Sequence, residues 1–135
     1  MAEQFLSSAP ADSIVCISLG SAIPKCDVSQ MDAAFLDKLL LAQKTYGRKF
    51  KINCAYRSLA WEKSKGRNGR SSHCKGIAVD IGVSNHQQRL YIVAALLIVG
   101  FRRIGIAKTF IHVDDDDSKV PSMWLYDAEN LSKTF

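Results

Sequence analysis

The spacing of apolar residues changes several times along the chain, and each change marks an element. Ile14 to Ser18 is a short β-branched run closed by Gly20, which predicts a strand. Met31, Phe35, Leu36, Leu39, Leu40 and Gln43 then recur at helical spacing up to Gly47. With Ser29 and Asp32 as a capping pair, they predict a helix with one apolar face. Phe50 to Tyr56 alternates as a strand does, and Ser58 to about Lys65 fits a short helix. Gly66, Asn68 and Gly69 make the stretch from Gly66 to Ser72 read as an exposed, mobile loop.

Ile77, Val79 and Ile81 alternate with Ala78, Asp80 and Gly82, the period-two pattern of a strand with one apolar face; Asp80 falls on the other face. Ser84 with Gln87 reads as a capping box ahead of the apolar stretch Leu90 to Val99, which predicts a helix buried nearly all round and stopped by Gly100. Phe101 to Ala107 and Thr109 to Asp114 read as strands joined by a tight turn near Lys108, and Met123 to Tyr126 as a last strand. Successive strands near the C-terminus favour an α+β domain with a mainly antiparallel sheet and helices packed on it.

Length and composition narrow the class. Dividing 135 residues into two cores would leave each about 65 residues, a marginal size, so a single domain over residues 1–135 is expected. Hydrophobic residues make up 47% and charged residues 23%, ordinary globular proportions that exclude wholesale disorder. The longest apolar run, Tyr91 to Val99, is about half the length that crosses a bilayer, so no membrane insertion is expected. The N-terminal stretch has Glu3 and no apolar core, and it does not read as a signal peptide.

Charge is uneven. Between Lys44 and Arg70 nine basic residues stand against Glu62 alone, a local field that suits an anionic partner. No nucleic-acid motif accompanies this stretch, and nucleic acid is not the expected partner. Cys16, Cys26, Cys54 and Cys74 lack zinc-knuckle spacing and read as reduced thiols, with a Cys54–Cys74 disulfide left open.

The chemistry centres on two of the three histidines. His73 ends the polar loop just before the strand that carries Asp80. In the later strand Phe110, His112 and Asp114 share one face, and Ile111 and Val113 the other. Two imidazoles and a carboxylate with an open fourth position would make a catalytic zinc site, with Asp114 near enough to act as general base. On spacing alone the alternative stands beside it: two hydrogen-bonded histidines and a turn aspartate. His86, at the start of the second long helix, reads as exposed and non-catalytic, and Asp115, Asp116 and Asp117 as a solvated turn.

The stretch Ser71-Ser72-His73-Cys74-Lys75-Gly76-Ile77-Ala78-Val79-Asp80 fits the pattern S-x-H-x-x-G-x-A-x-D. Tyr56-Arg57-Ser58 precedes it and Phe110-Ile111-His112-Val113-Asp114 follows. Over residues 50–124 the chain resembles the zinc D-alanyl-D-alanine carboxypeptidases and L-alanyl-D-glutamate endopeptidases of bacteria and phages, which share the hedgehog/DD-peptidase fold.

The resemblance implies one zinc ion held by His73, Asp80 and His112, and catalytic and substrate-binding work for Arg57. It also implies a substrate-binding or loop-steadying part for Ser71. Many relatives carry a glutamate three residues before the last histidine; here that position is Thr109, so Asp114 of the H-x-D branch is the transferred base. The implied activity is hydrolysis of a peptide bond in the peptidoglycan stem peptide by a monomer. The implied setting is a phage lysin, cytoplasmic until released to the cell wall. The alternative is a non-catalytic, zinc-stabilised wall or protein binding module.

Overall fold

The computed structural model describes residues 15–16, 30–68 and 70–126. Its elements are β1 (Val15–Cys16), α1 (Ala33–Tyr46), β2 (Lys51–Cys54), α2 (Leu59–Ser64), a 3₁₀ turn (Ser72–Lys75), β3 (Ala78–Gly82), α3 (His86–Ile98), β4 (Arg103–Ile106), β5 (Phe110–Asp114) and β6 (Ser122–Leu125). The strands form one sheet in the order β1-β2-β3-β5-β4-β6. The three central junctions are antiparallel, while β1 on β2 and β6 on β4 are parallel. The α+β class and mainly antiparallel sheet expected from the pattern are what the chain adopts.

The helices begin where side chains satisfy free backbone donors; α2 starts as expected at Ser58, whose Oγ accepts from the Trp61 amide at 3.0 Å. Asp32 alone caps α1, accepting from the Phe35 amide at 2.9 Å; Ser29 lies outside the described residues. Asn85, not Ser84, caps α3 by accepting from the Gln88 amide, and Gln88 Oε1 in turn accepts from the Ser84 amide. Gly47 closes α1, its N–H donating to Gln43 O at 2.9 Å.

One face of the sheet carries the core. Phe35, Leu36, Leu39 and Leu40 of α1 and Ile92 and Leu96 of α3 pack with Ile52, Val79, Ile81, Ile104, Ile111 and Val113. Phe101 closes it edge-on against Phe35, with ring centroids 5.7 Å apart. The expectation that α3 is buried nearly all round is corrected: Leu90, Tyr91, Leu97 and Ile98 are exposed. Only the stripe of Ile92, Ala95 and Leu96 is fully buried, because α3 is an outer-layer helix with one side toward α1 and the sheet. Among the described residues no helix is long and apolar enough to cross a membrane.

Among the described residues no long helix covers the other face of the sheet, which carries the polar residues of β3 and β5. Asp80 and His112 are direct partners across these strands, as are Ala78 and Asp114. A shift of register between Ile52 and Cys54 pairs Cys54 with Asp80. Without the shift, residues two apart would share a face and Cys54 would follow Ile52 into the core.

Candidate metal and peptide site

On this free face lies a cleft of about 670 Å³ whose walls include Arg57, Ser71, His73, Asp80, His112, Trp124 and Tyr126. All six residues singled out from the sequence line it, Asp114 among them.

His73 enters through its 3₁₀ turn. Ser71 caps that turn, its Oγ accepting from the His73 amide at 3.2 Å, and the Arg57 amide donates to His73 O at 3.2 Å. The turn ends at Gly76, whose φ of 72° favours glycine. A Cβ there would lie 2.5 Å from Gln30 O. His73 is therefore buried and anchored rather than carried on a mobile loop tip.

The ring nitrogens are sorted by their outer partners. His73 Nδ1 lies 2.8 Å from the Ala55 carbonyl, which only accepts, so Nδ1 carries the proton and Nε2 offers its lone pair 3.4 Å from Asp80 Oδ1. His112 Nε2 lies 2.7 Å from Asp114 Oδ2, so its Nδ1 lone pair faces Asp80 Oδ1 at 3.1 Å. Two lone pairs thus converge on a carboxylate. Such a set repels itself unless a cation lies within it, and neutral imidazole nitrogen with carboxylate oxygen is a donor set that zinc accepts. Without a metal a proton takes that part. Burial opposes charge on His73, but the Asp80 carboxylate and its hydrogen bond push its pKa up to about 9. Burial likewise opposes ionisation of Asp80, yet the two histidines hold it far below the usual carboxylate range.

Cys54 adds a donor that the sequence reading did not include. The ligand atoms of Cys54, His73 and Asp80 all lie within 4.8 Å of one another. The Cys54 thiol also accepts from Arg57 Nε at 3.0 Å. The terminal nitrogens of Arg57 lie 3.6 Å from Asp80 Oδ2 and 3.7 Å from Glu62 Oε2. Glu62 is buried, and Arg67 binds it at 3.0 Å. Cys54 and Cys74 are not joined to each other, so the disulfide considered between them does not form.

Asp114, expected as the general base, faces another way. Its Oδ2 is bound to His112 Nε2, and its Oδ1 accepts from Arg103 Nε at 2.8 Å and from the Asp116 amide at 3.0 Å. The side chain is 1% exposed. Burial works against its charge, but the hydrogen bonds from His112 and the Asp116 amide, with the charges beside it, keep its pKa below the ordinary value. It stands behind His112, on the side away from Asp80.

Asp116 departs from the solvated turn expected of it. It is buried, not part of a solvated turn: Ser72 Oγ donates to its Oδ2 at 2.7 Å, and Lys75, Ser118 and Lys119 surround the rest. This ties the turn that carries His73 to the segment after β5. Ser72 within the motif was the available signal, but its partner lies 44 residues away. His86 is exposed and pairs only with Arg89 among the described residues, as expected.

Trp124 reaches His112 because Gly105 stands between them. Gly105 is the register partner of both, and a Cβ on it would lie 2.6 Å from the Trp124 indole nitrogen. With that space empty, the Trp124 ring lies across β4 and its centroid comes within 5.5 Å of the His112 ring. The Arg103 guanidinium covers the Trp124 ring at 4.8 Å.

A family model described as Peptidase M15 matches residues 15–114, a span that holds His73, Asp80, His112 and Asp114. Comparison with curated proteins finds no match.

Proposed function

The chain belongs to the M15 family of zinc peptidases, and from that premise we propose that it hydrolyses a peptide bond in the peptidoglycan stem peptide. The reaction is that of a D-Ala-D-Ala carboxypeptidase or an endolysin-type endopeptidase. One observation carries the reading: His73 Nε2 and His112 Nδ1, each freed of its proton by an outer partner, converge on Asp80 in a cleft that Arg57 also lines.

His73, Asp80 and His112 are the residues that would hold the metal, three protein donors being the pattern of catalytic rather than structural sites. Zinc, when bound, supplies Lewis acidity toward a carbonyl and lowers the pKa of water. Asp114 orients His112 as its hydrogen-bonded carboxylate and fixes its tautomer, in place of serving as general base. Cys54 occupies Arg57 Nε, which leaves the terminal nitrogens of the guanidinium for a substrate carboxylate or carbonyl. Ser71 Oγ, already accepting from the His73 amide, retains its own proton for the substrate. Arg67, Arg70 and Lys119 also line the cleft and favour an anionic peptide.

The test is mass spectrometry of soluble muropeptides incubated with the purified protein, before and after chelation and after zinc is restored. A product that disappears on chelation and returns with zinc supports the reading, and its mass names the bond. Failure to cleave any peptidoglycan type by zinc-loaded protein overturns it.

A further inference from the structure

Tyr126 lines the cleft and has no part in the site as built above. Its backbone N–H donates to Ile106 O at 2.8 Å, continuing the β4–β6 pairing by one residue. Its ring packs against Phe110, with centroids 5.4 Å apart, and edge-on against Trp124 at 6.3 Å. It too uses the space above Gly105, where a Cβ would lie 2.7 Å from Tyr126 Cε2. Three neighbours therefore fix the direction of the phenol.

Hydrogen-bond capacity then limits what the hydroxyl does. The Trp124 indole N–H is buried and, among the described residues, has no acceptor within bonding distance. Indole nitrogen only donates, so Trp124 cannot receive the Tyr126 phenol proton, which is left for another acceptor. The cationic side chains Arg57, Arg67, Arg70 and Lys119 on the cleft wall only donate, and a bound peptide brings carbonyl oxygens that only accept. Burial pushes the phenol pKa up to about 12, against a smaller lowering from Trp124, so the proton is present at any working pH.

We infer that the Tyr126 hydroxyl donates a hydrogen bond to a carbonyl oxygen of the bound peptide, from the aromatic wall that Trp124 and Phe110 form over Gly105. This rests on the peptidase reading above. It adds a substrate-binding residue beyond the matched residues 15–114 and gives the cleft two unlike sides: charged donors at Arg57, and one neutral donor set among aromatic rings.

The test is Tyr126→Phe, which keeps the ring and removes only the hydroxyl. For a peptide that the unaltered protein cleaves, kcat/KM should fall about ten- to a hundredfold, while zinc content and thermal midpoint stay at their original values. Activity within twofold of the original overturns the inference and leaves the peptidase reading standing. A fall accompanied by lost zinc or a lowered midpoint also overturns it, since the hydroxyl would then be structural. If the unaltered protein cleaves no stem peptide, the peptidase reading fails, and this inference with it.

Discussion

Asp80 and His112 face each other directly across β3 and β5, and His112 Nδ1 lies 3.1 Å from the same carboxylate oxygen that faces His73 Nε2 at 3.4 Å. One oxygen meeting two imidazoles makes Asp80 the centre of the donor set. Asp80→Asn should therefore abolish stoichiometric zinc binding, as judged by metal analysis after gel filtration. In the unaltered protein, zinc at a hundred times its dissociation constant should add about 2.7 kcal/mol of stability, seen as a midpoint that drops on chelation. Full zinc content in Asp80→Asn would contradict the assignment.

The two candidate roles of Asp114 separate experimentally. An orienting carboxylate behind a histidine ligand affects metal affinity, and its loss costs about ten- to a hundredfold. Asp114→Asn should weaken zinc binding by that factor in competition with a chromogenic chelator. Unchanged affinity, with kcat lost, would restore the general-base assignment.

Cys54 holds Arg57 at 3.0 Å through Nε. Cys54→Ala should leave zinc content intact and raise KM several-fold by freeing the guanidinium, with a smaller change in kcat. A loss of zinc in this variant would instead make the thiol a metal ligand, consistent with its place within 4.8 Å of the His73 and Asp80 donor atoms.

Asp116 gives a stability prediction with a defined sign. Burial opposes its charge, but hydrogen bonds from Ser118, Ser72 and Lys75 outweigh that and hold its pKa well below the usual range. A carboxylate depressed in the folded state contributes fully above its unfolded pKa of about 3.9 and loses that contribution as pH falls below it. Asp116→Asn should cost about 1–3 kcal/mol near neutrality, measured by urea unfolding. The gap to the unaltered protein should narrow below about pH 4; a constant gap would refute the electrostatic account.

Local order along the chain settled much of this molecule. Period-two alternation put Ile111 and Val113 in the core and His112 on the other face, because adjacent side chains of a strand must point oppositely. The motif spacing likewise brought His73, Asp80 and His112 into one cleft. What pairing between distant segments decides was not legible. The register shift at Cys54 turns a thiol toward Asp80, and its cause lies in how β2 meets β3. The empty space at Gly105 matters only because β5 and β6 flank it, which lets Trp124 lean onto His112. The burial of Asp116 depends on Ser72, and the part played by Asp114 depends on which nitrogen of His112 it meets. Each of these joins residues through space, so only the folded chain could decide them.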